Sequence, residues 1–139
     1  MRKVTEQICL AFSRKQPRNV GNTMTDGHRI FLHGNKIVQR LHDINGLWLS
    51  LAGWNTSTTR ERLNGVLTWF DIPAVYHQRQ FEPYIWIRNK DRSDNSYSDS
   101  IEISADGWLV WIPEDKDRHF CYTEHFSDGY SHPLTPSTT

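Results

Sequence analysis

One segment near the middle of the chain predicts an amphipathic helix and limits what its neighbours can form. Thr58 and Glu61 have the spacing of a capping box, in which each side chain bonds the backbone N–H of the other residue. Pro73 forbids continuation, because proline lacks an N–H and clashes with the preceding turn. We therefore predict a helix over about residues 58–71. The apolar residues of its buried face, at positions i, i+3, i+4 and i+7, are Leu63, Val66, Leu67 and Phe70.

Short apolar runs separated by turn dipeptides precede this helix. Residues 29–33 and 36–41 flank Gly34-Asn35, where glycine at the first central position favours a type II′ hairpin. Asn45-Gly46 is a second turn signal, and the run at residues 47–51 places alternate apolar side chains on one face. These patterns predict a three-stranded antiparallel meander.

The chain after the helix has the pattern of further antiparallel strands. Residues 74–79 and 84–88 are strand candidates. The runs at 100–104 and 108–112 are joined by Asp106-Gly107, a type I′ signal, and are predicted to pair as a hairpin. The fold class predicted for the whole chain is α+β, with an N-terminal three-stranded meander, one amphipathic helix and further antiparallel strands.

Local composition sets the predicted domain boundaries. Residues 1–18 hold five Lys or Arg and one Glu, with apolar residues at helical spacing, and predict a basic N-terminal arm or short helix. Residues 19–126 are predicted to form a single α+β domain, with a polar surface loop at 89–98. Residues 127–139 are mainly Ser, Thr, Pro and Gly and predict a loosely ordered tail.

Size and composition exclude several classes of protein. The chain has 139 residues, of which 37% are hydrophobic and 12% aromatic, so it can build one core and is not expected to be disordered. Its two cysteines, Cys9 and Cys121, are too few for a disulfide framework and are expected to be free thiols. No apolar run has the length of a membrane span or a secretory signal, and no phosphate-binding loop or dinucleotide fingerprint occurs. We expect a soluble intracellular protein.

A formal net charge of zero hides two halves of opposite sign. Residues 1–90 carry 13 Lys or Arg and 6 Asp or Glu, a charge of +7, whereas residues 91–139 carry 3 and 10, a charge of −7. The basic half can face nucleic acid or an acidic protein surface, because Lys and Arg contact phosphates and a Trp ring can stack on a base. The candidate contact residues are Arg14, Lys15, Arg29, Arg40, Trp48, Arg60 and Arg62.

Metal and catalytic chemistry have one candidate segment. His119, Cys121 and His125 lie close together in the sequence and are ligand types that zinc prefers. No second ligand pair at a recognisable spacing accompanies them, and the same cysteine as a nucleophile would need an oriented base. We therefore expect no cofactor and favour a non-enzymatic role, with a metal-dependent or cysteine enzyme as an alternative.

Residues 53–64 read Gly-Trp-Asn-Thr-Ser-Thr-Thr-Arg-Glu-Arg-Leu-Asn and directly follow an apolar strand candidate. This segment resembles a motif of small uncharacterised proteins of tailed bacteriophages, in which a Gly-Trp pair leads into Thr-rich residues, a basic residue, an Arg and an Asn. The segment Phe-Ser-Asp-Gly-Tyr at 126–130 is similar to one that often ends such proteins. The resemblance implies a phage or prophage origin and carries no established activity.

A second resemblance is architectural. Three short strands, of which the third carries Trp48, followed by Trp54, Thr56 and a helix, are similar to the AP2-type DNA-binding domain. In that domain a three-stranded sheet lies in the major groove, so the resemblance implies DNA contact through the strands. The basic residues on those strands here are Arg29, Lys36 and Arg40.

These observations together predict a small, non-enzymatic phage protein that binds a partner. We expect it to inhibit or modulate a host protein, such as a defence or nucleic-acid-processing complex, in the cytoplasm of the bacterial host. The aromatic residues would form the docking surface. The alternative is a nucleic-acid-binding protein that uses the basic N-terminal sheet and arm. No membrane partner is expected, and self-association through an exposed strand edge stays open.

Overall fold

The computed structural model describes residues 1–41, 46–87 and 100–112, together with the backbone of residues 119–123 and 132–134. Two helices and eleven strands lie within these residues. In chain order they are α1 (Lys3–Ser13), β1 (Arg18–Val20), β2 (Thr23–Thr25), β3 (Arg29–Leu32), β4 (Asn35–Arg40), β5 (Leu47–Leu49), α2 (Ser57–Trp69), β6 (Ala74–Arg79), β7 (Glu82–Ile87), β8 (Ile101–Glu102), β9 (Trp108–Ile112), β10 (His119–Thr123) and β11 (His132–Leu134).

The strands form two antiparallel sheets. The larger sheet has the order β1-β2-β3-β4-β5-β9-β10-β11, and the smaller sheet has the order β6-β7-β8. Helix α1 packs on β1, β2 and α2, and α2 also packs on β6, so α2 links the two sheets. Neither helix in the described part of the chain is long and apolar enough to cross a membrane. The predicted α+β fold is confirmed, and the short strands β1 and β2 precede the predicted meander.

A continuous hydrophobic core joins both helices and both sheets. Ile8 and Phe12, four residues apart on α1, are buried against Leu63 and Leu67, four residues apart on α2, because side chains at that spacing share one helix face. Gly65 lies where α2 closely approaches α1, since a Cβ atom there would lie 2.2 Å from the Thr5 side chain of α1. The helix crossing therefore depends on the absence of a side chain at this position.

The β3–β4 turn lies one residue earlier than the sequence predicted. His33 and Gly34 are the two central residues, with φ of 51° and 80°, and Asn35 is the first residue of β4. Two successive positive φ angles are typical of a type I′ turn, whose twist matches that of the strands it joins. The predicted type II′ turn at Gly34-Asn35 is wrong for that reason.

The predicted hairpin between residues 100–104 and 108–112 is also wrong. Strand β8 pairs with β7 in the smaller sheet, whereas β9 pairs with β5 and β10 in the larger one. A turn dipeptide specifies a change of direction but not the strand that will be paired. Because Leu109 and Val110 are both buried, β9 occupies a central position in a sheet covered on both faces.

Two predicted polar segments fall largely outside the described residues. The predicted loop at 89–98 lies outside them entirely. Within the predicted tail at 127–139, the backbone of residues 132–134 forms β11 and pairs with β10, and the remaining residues are outside the described part.

Helix α2 begins with a different cap from the predicted capping box. Thr56 is the N-cap, and its hydroxyl accepts a hydrogen bond from the Thr59 backbone N–H at 3.1 Å. The Glu61 carboxylate accepts a hydrogen bond from the Thr5 hydroxyl of α1, so it is not the partner of Thr58. The predicted helix is confirmed, but its cap lies two residues earlier.

We expect Thr56→Ala to lower the free energy of unfolding by about 1 kcal/mol, because it removes the N-cap acceptor. Thr58→Ala is the matched control and should change the free energy of unfolding by less than about 0.5 kcal/mol. Urea denaturation of both variants measures the difference. A larger loss for the Thr58 variant would contradict the cap seen in the structure.

Candidate functional site

Two large aromatic side chains extend into solvent near the start of α2. Trp54 lies in the loop before the helix and is 58% exposed, and Phe81 lies in the β6–β7 turn and is 88% exposed. The Asn55 side-chain amide donates a hydrogen bond to the Phe81 carbonyl at 3.1 Å, which holds the loop against the turn. We call the surface formed by Trp54, Asn55, Arg60 and Phe81 the Trp54–Phe81 surface.

Arg60, in the first turn of α2, fixes the loop that carries Trp54. Its guanidinium donates to the Asn55 side-chain oxygen at 2.6 Å and to the Asn55 carbonyl at 3.2 Å. Partial burial lowers the pKa of Arg60, and the two acceptors compensate for the lost hydration. On the other side of Trp54, the Gly53 N–H donates to the Ala105 carbonyl at 2.8 Å. Arg60 is therefore a positioning residue for the exposed ring.

The turn that carries Phe81 has a left-handed backbone like that of the β3–β4 turn. Gln80 and Phe81 are the two residues between the paired Arg79 and Glu82, and their φ angles are 50° and 67°. This left-handed conformation costs roughly 1–2 kcal/mol for a residue other than glycine. As in the β3–β4 turn, two successive positive φ angles are typical of a two-residue hairpin turn. The exposed Phe81 ring gains no burial that would offset this cost.

A cleft of about 340 Å³ lies beside Trp54, between the β3–β4 turn and the start of α2. Its lining includes the buried apolar side chains of Leu32, Ile37 and Leu51, and also Trp54 and Thr58. We call it the Trp54 cleft. An apolar cleft of this volume is large enough for a bulky side chain or a small ligand.

A column of stacked side chains lies on one face of the smaller sheet. The His77 ring stacks on Trp86 at a centroid distance of 3.7 Å and on Tyr84 at 5.8 Å, and the Arg79 guanidinium lies 5.7 Å from the Tyr84 ring. Burial lowers the pKa of His77, and the positive charges of Arg79 and Arg60 lower it further. The lowered pKa favours the neutral form of the His77 ring.

Three of the predicted contact residues line one basic cleft. Its volume is about 570 Å³, and it lies between the end of α1 and strands β3 and β4. We call it the basic cleft, and its lining residues are Lys15, His28, Arg29, Gln39, Arg40 and Leu41. Arg14 directly precedes Lys15 at the end of α1 and is exposed. The structure therefore brings Lys15, Arg29 and Arg40 together, as an anion-binding surface requires.

The two arginines of the basic cleft already have partners. Arg29 forms an ion pair with Asp26 at 2.9 Å. Arg40 donates hydrogen bonds to the carbonyls of Phe12 and Gly27, and its guanidinium lies 4.2 Å from the Phe12 ring centroid. These contacts join the end of α1 to β4, so Arg40 has a structural role at the wall of the cleft.

Trp48 does not provide an exposed ring for a base. It is 2% exposed and packs with Val110 and Ile112, because β5 lies between β4 and β9 and the register places Trp48 beside Gln39 and Val110. The alternation of apolar residues in the sequence did identify the strand, but this ring is buried, contrary to the prediction.

Arg62 is likewise buried, at 5% exposure, and does not belong to a contact surface. Its guanidinium donates to the hydroxyls of Thr23 and Thr5, each at 3.0 Å, and forms an ion pair with Glu61 at 3.2 Å. The prediction that Arg62 faces a partner is wrong because α1 and β2 cover that side of α2.

The proposed metal ligands fall outside what the structure describes. His119 and Cys121 lie on β10, of which only the backbone is described, and His125 is outside the described residues. In residues 1–41, 46–87 and 100–112, no three His, Cys, Asp or Glu side chains are grouped to hold a metal ion. Burial raises the pKa of the Cys9 thiol to about 12, so this thiol stays protonated at neutral pH.

A family model described as Kyanoviridae Gp96 protein matches residues 1–106. The match confirms the phage origin implied by the sequence, and the matched residues include both helices, the Trp54–Phe81 surface and the basic cleft. No curated protein and no solved structure matches the chain. The specific phage motif at 53–64 and the AP2-type architecture stay predictions.

We expect Arg62→Met to lower the free energy of unfolding by about 3 kcal/mol, because it leaves the buried hydroxyls and Glu61 without their cation. Arg60→Met is the matched control on the exposed side of α2 and should cost less than about 1 kcal/mol. Urea denaturation compares them. Equal losses would show that Arg62 is not a buried structural residue.

Proposed function

We propose that this chain, which belongs to the Kyanoviridae Gp96 protein family, is a non-enzymatic phage protein that docks on a host protein through the Trp54–Phe81 surface. It would act in the cytoplasm of the bacterial host and modulate or inhibit the protein that it binds. The observation that carries the proposal is the exposure of two large aromatic side chains on one surface that a hydrogen-bond network holds in place.

The composition of this surface supports docking on a protein. Tryptophan and arginine are enriched among the residues that contribute most to protein interfaces, and phenylalanine is enriched in interface cores. Because Asn55 and Arg60 already fix the loop, Trp54 would lose little conformational freedom on binding. Of the predicted contact residues, Arg60 belongs to this surface, where its guanidinium bonds Asn55.

Photo-cross-linking from position 81 tests the proposal. With p-benzoylphenylalanine in place of Phe81, we expect a discrete adduct with one host protein in extract of the host cell. In the same protein, Trp54→Ala should reduce the adduct yield more than about tenfold, because truncation of a central interface aromatic typically costs 2 kcal/mol or more.

The matched control carries the same cross-linker at Met24, which is also exposed but lies on β2. We expect no adduct with that host protein from position 24. Equal labelling from both positions, or a yield from position 81 that does not depend on Trp54, would contradict docking at this surface. An adduct of the chain with itself is recognised by its mass.

Nucleic-acid binding is the second candidate function, and the basic cleft favours it. Lys15 and His28 are exposed at the cleft, and Arg29 is half exposed although it is paired with Asp26. The side chains of Lys15, Arg29 and Arg40 around one concave surface can contact neighbouring phosphates. The arrangement differs from the predicted one, since it uses the end of α1 and one side of β3 and β4 without the Trp48 ring.

Fluorescence anisotropy with labelled double-stranded DNA, single-stranded DNA and RNA over a salt series tests this second function. If the basic cleft binds phosphates, Lys15→Gln combined with Arg29→Gln should weaken binding about tenfold at low salt and reduce the salt slope by about two. Lys3→Gln combined with Arg79→Gln removes the same charge elsewhere and should have a smaller effect. Equal effects, or no binding at low salt, would exclude the basic cleft as the site.

A further inference from the structure

The Trp54 cleft adjoins the surface through which docking is proposed, because Trp54 belongs to both. A protein that covers the Trp54 ring therefore also meets the mouth of the cleft. We infer that the cleft receives one large aromatic side chain of the host protein and selects its partner by that side chain. The inference rests on the proposed docking function and names the chemistry of the group that this surface binds.

A tight turn joins the floor of the cleft to the Trp54 wall. Ala52 and Gly53 are its central residues, with φ angles of 53° and 83°, and the Trp54 N–H donates to the Leu51 carbonyl at 2.9 Å. A turn closed by such a bond brings its two end residues together. Leu51 and Trp54 are therefore neighbours in the lining.

The other walls are also held by hydrogen bonds. Leu32 and Asn35 are paired at the ends of the β3–β4 turn, and both line the cleft. In the first turn of α2, the Thr56 hydroxyl accepts from the Thr59 N–H at 3.1 Å and shares a hydrogen bond with the Thr59 hydroxyl at 2.8 Å. A cleft with such walls keeps its shape without an occupant, so binding requires little ordering of the chain.

The lining residues favour an uncharged, apolar occupant. Leu32, Ile37 and Leu51 are buried and supply aliphatic side chains. None of the ten described residues that line the cleft is Lys, Arg, Asp or Glu, although these four types make up 23% of the chain. A charged group would lose hydration in the cleft without meeting an opposite charge. A salt-bridging side chain of the partner is therefore excluded as the occupant.

The volume of the cleft and the presence of Trp54 favour an aromatic ring over an aliphatic side chain. An apolar cavity of roughly 150 Å³ holds benzene, and this cleft has about 340 Å³. An aliphatic side chain would leave more of the volume unfilled and so make fewer contacts. With an aromatic occupant, Trp54 would form an aromatic pair, and the Thr58 hydroxyl can bond the polar atom of a Trp or Tyr ring.

Amino-acid amides test the cleft while the host protein is unidentified. The isotope-labelled full chain is titrated with N-acetyl-tryptophanamide, and we expect the NMR signals of the Leu51 and Thr58 N–H groups to shift. N-acetyl-leucinamide should bind about fivefold more weakly, because it lacks the aromatic pair. N-acetyl-lysinamide should cause no shift. Equal affinity for the three amides, or shifts confined to residues outside the cleft, would overturn the inference.

Thr58→Trp should fill the cleft while Trp54 and Phe81 stay unchanged. Thr68→Trp is the matched control, because Thr68 is exposed on α2 and does not line the cleft. We expect the first variant to lose binding of N-acetyl-tryptophanamide and the second to retain it. Urea denaturation checks that both variants are folded. Binding that survives in Thr58→Trp would place the amide outside the cleft and contradict the inference.

Cross-linking from position 81 connects the cleft with the host protein. Thr58→Trp should reduce the adduct yield more than about tenfold, and Thr68→Trp should leave it unchanged. Among the aromatic residues near the labelled site of the host protein, one should reduce the yield equally when changed to Ala. Combining that change with Thr58→Trp should cause no further loss, because both remove the same contact. Additive losses would contradict insertion of that ring.

Docking and insertion can fail separately. A Trp54-dependent adduct that Thr58→Trp does not reduce would overturn insertion and leave docking supported. Binding of N-acetyl-tryptophanamide in the cleft without any host adduct would overturn docking, and with it the host protein as the source of the ring.

Discussion

The buried Arg62 guanidinium joins both helices to the larger sheet. The Arg62 guanidinium bonds Thr5 of α1, Thr23 of β2 and the Glu61 carboxylate beside it on α2. A buried charge without such partners is strongly unfavourable, so α1, α2 and β2 cannot shift past one another without leaving it uncompensated. Gly65 brings α1 and α2 close enough for these bonds to form. The position of α2 in the protein follows from this interaction.

Helix α2 in turn positions both exposed aromatic residues by separate contacts. Near its start, the Thr56 cap and the Arg60 side chain fix the loop that carries Trp54. In its middle, the Asn64 side chain accepts from the Tyr76 N–H at 2.7 Å and donates to the Tyr76 carbonyl at 3.0 Å. This pair of bonds replaces a neighbouring strand along the edge of β6, and the β6–β7 turn carries Phe81. The two rings share one surface because one helix holds both supports.

The sequence was sufficient to predict the elements that depend on local periodicity. It was insufficient where a contact with residues far away in the sequence determines burial or strand pairing. The apolar face of α2 followed from residue spacing, and the α+β class followed from that spacing together with the turn dipeptides. The sequence does not show which side of α2 meets α1, so Arg62 was expected at the surface although it is buried. The pairing of residues 108–112 and the burial of Trp48 are similarly set by the order of strands in the sheet. At the site the sequence analysis missed Trp54 and Phe81, although a large aromatic residue between polar neighbours is a local signal in both segments.

The two candidate surfaces differ in how many of their polar and charged groups already have partners within the chain. In the basic cleft, Arg40 bonds two carbonyls and stacks on Phe12, and Arg29 is paired with Asp26, so a phosphate would have to compete with these partners. On the Trp54–Phe81 surface, hydrogen bonds satisfy the loop and turn while most of both rings stays in contact with water. Covering these rings releases hydration without breaking an internal contact. An apolar partner surface therefore gains more at the Trp54–Phe81 surface than an anion gains at the cleft.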